Sequence, residues 1–502
     1  MEYSREVLFP HREIREILDL YRTIWALDHA SSLMGWDLET NMPEEGVLER
    51  GVAVSEISAL RQKLVTEERF LKAVERAEAI EDLNDYERGV IRVLKREIRY
   101  YTRVPPEIVK ELSRITSEAS VIWRNAKSEG RFDKFKPYLE KIVDLEIKIA
   151  DSLSYDEHPY DALLDIYEEG LRTREFQSII GSLIPSLKKI LEKIISEEYY
   201  TKPHPLETER YDTDAMRRVN QRILEILGFN PKRMRLDVSA HPFTSGISLR
   251  DVRITVRYEG YDFKRALYSL IHEFGHALYD LQIDERYAMT PLAGGASLGV
   301  HESQSRFWEN IIGRSRGFVE AVYDILAEEL KLGGRYDPED LYRYFNIVRP
   351  SLIRVDADEV TYNFHIALRF ELERMMISRE IKIGDLPEIW NDYMERYLGI
   401  KPKNDSEGVL QDIHWSMGSI GYFPTYSIGT ILAAQIRKVM EKDLNLEEII
   451  RSRNLDPVRR WLRDRIHVYG AMYPPKELIR RSLGEDLNPS VFIEYLERKY
   501  LG

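Results

Sequence analysis

Two histidines four residues apart, His272 and His276, flank Glu273 inside an apolar run from Ala266 to Leu278. Apolar residues at 266, 267, 270, 271, 277 and 278 recur with helical spacing, so the run predicts a helix. Four residues are just over one helical turn, which stands both imidazoles on one face. From there both can reach one metal ion at roughly 2.0–2.1 Å, the usual zinc–nitrogen distance. Glu273 borders the same face, where its carboxylate can take a proton from water activated at the metal. The competing reading is an ordinary amphipathic helix with two chance histidines. Against it, the chain has only eleven His in all.

Two histidines do not complete a catalytic site, which usually has a third protein ligand and leaves a position for water. Glu302, in Gly299-Val300-His301-Glu302-Ser303-Gln304, lies far enough along for a second helix to pack against the first. The pattern HExxHxxGxxH would instead require Gly at 279 and His at 282. Tyr279 and Gln282 stand there, so His272, His276 and Glu302 are the expected ligands.

Other residue groups suit a substrate cleft. Asp251, Arg253 and Thr255 alternate with Val252, Ile254 and Val256, as on a strand with one polar and one apolar face. Arg253 can hold a carboxylate with both arms of its fork, or simply pair with Asp251. His241 precedes this strand, where an isolated His is commonly structural. Arg354 lies in a stretch read as opening a helix, with Asp356 and Asp358 as first-turn acids. Gln411, Asp412 and His414 fall together on a further expected helix, and a His facing a metal can steady an oxyanion. The stretch Gly421 to Gly429 reads as a loop carrying Tyr422 and Tyr426, either of which can donate to an oxyanion or pack.

The elements that must position these groups are mostly helical. Amphipathic stripes run through 13–32, 54–65, 86–101, 107–126, 137–153, 176–195 and 214–227, with Asp214 read as a cap. Residues 234–240 and 247–257 alternate with period two and predict a small sheet. Helices are expected again at 262–282, 296–314, 358–378, 385–397, 405–418, 427–442, 455–467 and 488–499. No Gly/Ser linker, fixed-period repeat or low-complexity segment divides the chain. The expectation is one mostly α domain over 1–502, with a helical part, 1–231, and a metal-binding part, 232–502. One short sheet lies beside the metal helix.

Composition narrows the classes. With 43% hydrophobic and 32% charged residues among 502, the chain reads as a soluble globular protein. A net charge of −13 without long runs of either sign argues against nucleic acid or anionic membrane as a partner. No Cys is present, which excludes disulfides, thiolate ligands and a Cys nucleophile, so any metal is held by His and carboxylate. The start, Met1 to Glu6, is charged and lacks a signal peptide's apolar core, and no apolar run is long enough to span a bilayer. A cytoplasmic location follows as the expectation. Abundant Glu, Lys, Arg and Tyr lean toward a heat-adapted source.

Six ordered motifs together resemble the thermostable metallocarboxypeptidase family of the carboxypeptidase Taq type. They are His241-Pro242-Phe243, Asp251-x-Arg253-x-Thr255, His272-Glu273-x-x-His276, His301-Glu302-Ser303-Gln304, Ile353-Arg354-x-x-Ala357-Asp358 and Gly408-x-x-Gln411-Asp412-x-His414-Trp415. Trp36-Asp37 and Thr40 to Pro43 also look like the family, so the resemblance spans the chain. It implies a large helical zincin-type fold with a long central cleft, a homodimer, and removal of single residues from peptide C-termini with broad side-chain tolerance. It implies Zn2+ as cofactor, with Co2+ possible. By resemblance His272, His276 and Glu302 bind the metal, and Glu273 is general base. Arg253 and Arg354 hold the terminal carboxylate, and His241, Gln411 and Tyr422 line the site. His414 and Tyr426 stabilise the oxyanion.

The metal motif alone serves endopeptidases and aminopeptidases equally well. An oligopeptidase cutting inside short peptides is therefore the alternative enzyme. A peptide-binding scaffold without catalysis is the alternative of another class, and the intact set His272, Glu273, His276 and Glu302 argues against it.

Overall fold

The computed structural model describes residues 6–502. Met1 to Arg5, the greater part of the charged start read above for a signal peptide, lies outside the described residues. The chain divides into two compact units, each assembled from three segments. The first comprises residues up to 102, 204–345 and 436–486; the second comprises 103–203, 346–435 and 487–502.

In the first unit the long helix α1 (Arg12–Thr40) precedes the sheet in sequence. The sheet has three strands, β1 (Met234–Val238), β2 (Thr244–Ser248) and β3 (Asp251–Val256), in the order β1-β3-β2. β1 runs parallel to β3, with Met234 opposite Val252 and Val238 opposite Val256, while β2 is antiparallel to β3. The alternation in β3 works as expected for Val252, Ile254 and Val256, which are fully buried. Each such burial contributes up to about 1.5–3 kcal/mol relative to exposure. Thr255 is buried too, because its hydroxyl is spent on the preceding loop, accepting from Phe243 N at 3.0 Å and meeting Ser239 Oγ at 2.6 Å. The apolar face of β3 packs on α2 (Lys264–Gln282), and α2 packs on α3 (Leu298–Arg306). A π-helical segment, Phe307–Gly313, continues directly from α3. The expected helix over 296–314 is thus two pieces of different winding.

The second unit pairs helices Pro106–Glu129 and Phe132–Leu153 across Gly130, whose left-handed φ of +65° glycine adopts without strain. It also holds α4 (Tyr362–Ile377) and the start of α5 (Pro424–Met440).

Several sequence expectations need correction. No α-helix covers 405–418: the stretch is a series of turns ending in a 3-10 turn at His414–Met417. The reason is local chemistry. Gly408 N donates to the Asp405 carbonyl at 3.2 Å and Gln411 N to the Gly408 carbonyl at 3.1 Å, so the backbone closes three-residue turns around Gly408, a poor helix former, in place of an α-helical ladder. Asp358 accepts from Val360 N, Thr361 N and Arg349 N in a turn that precedes α4, which begins at Tyr362. Tyr426 sits in the first turn of α5 and not in a loop. The cap of Thr213–Leu227 is Asp212, which accepts from Asp214 N at 3.1 Å, and not Asp214. β2 is a separate strand that the period-two pattern does not mark, and helices at Glu68–Glu78, Pro159–Tyr167, Arg316–Glu329, Pro338–Phe345, Leu446–Arg451 and Pro475–Leu483 lie outside the expected stripes.

Candidate metal centre

α2 presents His272 and His276 with ring centroids 4.9 Å apart. α3 starts at Ser297, whose hydroxyl accepts from Val300 N, and crosses α2 at Gly275. A Cβ built on Gly275 would lie 2.6 Å from the carbonyl oxygen of Gln304, so only glycine permits this approach. The approach delivers Glu302: its Oε2 is 3.7 Å from His272 Nε2 and 3.4 Å from His276 Nε2. One ligand atom from each of the three residues falls within 4.8 Å of the others.

The remaining atoms of these side chains are committed elsewhere, which aims the three ligand atoms at one point. His272 Nδ1 lies 3.0 Å from Glu309 Oε2, on the π-helical segment. His276 Nδ1 lies 2.7 Å from His301 Nδ1, and His301 Nε2 lies 2.9 Å from Asp280 Oδ1. A neutral His301 that donates through Nε2 to Asp280 accepts at Nδ1. His276 then carries its proton on Nδ1 and leaves Nε2 bare, the arrangement a metal-ligating imidazole needs. Glu302 Oε1 accepts from Arg306 Nε at 2.7 Å, and Ser305 Oγ donates to Oε2 at 3.1 Å.

The electrostatics agree with that division of labour. Burial raises the Glu302 carboxyl, but Arg306, His272 and His276 outweigh it and hold the group well below the usual carboxylate range. Glu309 behaves alike: burial works against the cations Arg306 and Arg314 and the His272 bond, and the balance lowers it to about 2. Burial depresses His272, yet Glu302, Glu309 and Glu273 carry it above its ordinary value. His276 is lowered by burial, with His301 and His272 adding to the effect. Two imidazole nitrogens and one ionised carboxylate oxygen fit a divalent cation of the zinc type.

Glu273 is buried, and Thr244 of β2 donates its hydroxyl to Oε2 at 2.6 Å. Arg253 on β3 forms the fork to Asp251, with Nε–Oδ1 2.9 Å and an Nη–Oδ2 distance of 2.8 Å, and lies over the Trp36 ring at 5.8 Å. His241 is exposed, its carbonyl accepting from Ser239 Oγ.

In the second unit, Asp412 bridges two buried arginines. Arg354 reaches Asp412 Oδ1 through Nε at 3.0 Å and through Nη at 2.9 Å, and Arg369 Nε reaches Oδ2 at 2.7 Å. Both cations hold the Asp412 carboxyl far below its ordinary value, against burial. Gln411 Oε1 accepts from Arg354 N at 2.9 Å, and Tyr362 accepts from the guanidinium at 2.9 Å. His414 Nε2 stands 3.2 Å from the Tyr426 hydroxyl, and its ring is 5.4 Å from that of Tyr422. Burial drives His414 down to about 4, so the imidazole is neutral near pH 7.

Sequence reasoning missed Thr244, Asp280, Arg306, Glu309 and Arg369. Two of these had a signal. Asp280 continues the four-residue spacing of His272 and His276 on α2, and Arg306 stands four residues after Glu302, where a helical ion pair forms.

A profile of the carboxypeptidase Taq (M32) metallopeptidase family matches residues 16–500. Thermostable carboxypeptidase 1 of Pyrococcus furiosus is 55% identical over 498 residues, covering 99% of this chain and 100% of the relative. Thermostable carboxypeptidase 1 of Thermus thermophilus is 35% identical, covering 98% of this chain and 99% of its own length. A solved structure of the Pyrococcus furiosus carboxypeptidase, in an apo-Mg form, superposes with a TM-score of 0.97 at 55% identity, covering 98% of this chain and 100% of that one. Full-length similarity at this level, joined to the His272, His276 and Glu302 cluster, places the chain in the carboxypeptidase Taq (M32) metallopeptidase family and makes it a metallocarboxypeptidase, a peptide hydrolase.

Proposed function

We propose that the enzyme uses zinc, with cobalt as a substitute, and that it removes the last residue of peptides with broad side-chain tolerance. The observation that supports this reading best is the convergence of His272 Nε2, His276 Nε2 and Glu302 Oε2, with Glu273 buried beside the first ligand. A two-imidazole, one-carboxylate set suits zinc, whereas magnesium favours oxygen ligands. When bound, the metal supplies Lewis acidity, which polarises the scissile carbonyl and lets a water lose its proton near neutral pH.

Glu273 takes that proton as general base and returns it to the leaving amine. Thr244 donates to Oε2 of Glu273 and so leaves Oε1 as the oxygen that moves the proton. Arg253 and Arg354 hold the substrate's terminal carboxylate. A carboxylate must compete there with Asp251 or Asp412, and the competition is easier at Arg253, whose side chain is 20% exposed against 8% for Arg354. His241, Gln411 and Tyr422 contact the substrate, while His414 and Tyr426 stabilise the oxyanion as hydrogen-bond donors.

The whole chain, 1–502, works in this reading as one carboxypeptidase domain and as a homodimer in the cytoplasm, without nucleic-acid or membrane partners. Among the described residues no helix is long and apolar enough to cross a membrane. Heat stability is proposed from the likeness to the thermostable carboxypeptidases of Pyrococcus furiosus and Thermus thermophilus.

The test is release of a free amino acid from an N-blocked dipeptide. Activity is expected to vanish with chelator, to return with zinc, and to be absent on the C-terminally amidated peptide. Equal cleavage of the amidated peptide would refute the carboxylate-anchored reading.

A further inference from the structure

The stretch from Gln411 to Phe423 carries His414 and Tyr422, yet it has no α-helix or strand to hold it. Gly418 and Gly421 turn it with φ of +72° and +101°. A segment of this kind loses its shape cheaply unless side chains fix it.

One side chain does so at two points. Glu373, on α4, is fully buried. Its Oε1 accepts from Trp415 Nε1 at 2.8 Å, while Oε2 accepts from Gly421 N at 2.9 Å and from the Tyr160 hydroxyl at 2.5 Å. Trp415 is next to His414, and Gly421 is next to Tyr422. The two bonds therefore clamp the segment at the residues bordering both functional side chains. Leu163 backbone lies close behind Gly421, since a Cβ there would meet its atoms at 2.9 Å.

The choice of a carboxylate is costly. Burial pushes Glu373 up to about 7, against the three hydrogen bonds and Arg369, which favour the ionised form. An apolar residue would avoid that penalty but leave the Trp415, Gly421 and Tyr160 donors unpaired. Three donors converging on its two oxygens favour the ionised carboxylate.

We infer that Glu373 is a positioning residue for catalysis: it pins the Trp415 and Gly421 ends of the 415–421 turn and thereby sets His414 and Tyr422. The inference rests on the reading of His414 as an oxyanion donor, and the experiment separates the two.

Glu373→Gln keeps the size but turns one oxygen into an amide donor, which must face the Trp415 N–H or the Gly421 and Tyr160 donors. The full-length, zinc-loaded variant is expected to lose about tenfold in kcat, a magnitude in keeping with a misplaced catalytic group, with KM within about twofold and zinc content unchanged. Adding Trp415→Phe removes the opposing donor and should restore part of that kcat. In a His414→Ala background, Glu373→Gln should cost less than about twofold more, since the group it places is gone. Should Glu373→Gln not fold, Tyr160→Phe and Trp415→Phe each delete one donor and are expected to lower kcat by about threefold, with KM unchanged.

Wild-type kcat in folded Glu373→Gln, or a loss that tracks zinc content, overturns the inference. So does the full tenfold loss repeated on top of His414→Ala. If His414→Ala itself keeps full turnover, the oxyanion reading of His414 fails. The inference then stands if Glu373→Gln still lowers kcat and Trp415→Phe restores it, and falls otherwise.

Discussion

Gly275 and Gln304 touch backbone to backbone: a methyl group on Gly275 would sit 2.6 Å from the Gln304 carbonyl oxygen and 2.7 Å from Ser305 Cα. Neither obstacle can rotate away, so Gly275→Ala must push α3 off α2, and Glu302 rides on α3. The expected result is a loss of about 1–3 kcal/mol of stability from overpacking, together with weaker metal binding. Gly181 provides the control. It lies inside the helix Thr173–Glu197 with nothing within 4 Å of its Cβ position. Gly181→Ala should therefore stabilise by up to about 1 kcal/mol. Thermal denaturation and a zinc titration of both variants check the pair; equal behaviour would refute the close-approach argument.

His301 is expected to govern metal affinity without binding the metal. It links His276 Nδ1 at 2.7 Å to Asp280 at 2.9 Å and so selects the tautomer that leaves His276 Nε2 bare. His301→Ala should weaken zinc binding by roughly 10–100-fold, the usual cost of losing such a partner. Direct zinc titration in competition with a chelator measures this. Affinity within twofold of wild type would mean that the His301 link does not orient His276.

Thr244 and Glu273 make a third test. The hydroxyl of Thr244 holds Glu273 Oε2 at 2.6 Å, and valine keeps the shape without the donor. Thr244→Val should bind zinc normally and lose about tenfold in kcat or somewhat less, from a mispositioned base. Glu273→Gln should also keep its zinc but lose nearly all turnover. Substantial activity in Glu273→Gln would remove the general-base assignment, and a zinc-depleted Thr244→Val would show that Thr244 supports the site as a whole.

How far the sequence revealed this site depended on whether a residue's role was set by local spacing. His272, Glu273 and His276 are legible because one helix fixes their relation, and Glu302 because a helix pair is the simplest sequel. Thr244, Glu309 and Arg369 are not, since each meets its partner through packing between elements distant in sequence. The 405–418 stretch failed differently. Its apolar residues suggest a helix, but the backbone closes three-residue turns on either side of Gly408, and the positive φ at Gly418 ends the segment as a turn. Arg253 and, by resemblance, Arg354 are expected to clamp a carboxylate, and both already hold an internal one, a pairing that residue types announce without choosing between the two uses.

Glu146 predicts how stability depends on pH. The residue is 4% exposed, and its Oε1 lies 3.1 Å from the Cβ position of Gly418. Burial, with the charge of Glu373 nearby, raises its carboxyl from 4.5 to about 8. Between those values the folded protein binds a proton that the unfolded chain has released, so folding stability falls as pH rises through this window. The contribution is fully present below about 4.5 and fully lost above about 8. Glu146→Gln has no proton to lose. Its stability relative to wild type should be near zero at the acid end, grow through the window to on the order of a few kcal/mol, and stay level beyond it. Removing the neighbouring charge also lets Glu373 ionise more easily, which acts in the same direction. Thermal or denaturant unfolding of both proteins across pH 5 to 9 measures the difference; a pH-independent offset, or a variant less stable at alkaline pH, would rule out a buried protonated Glu146 as its source.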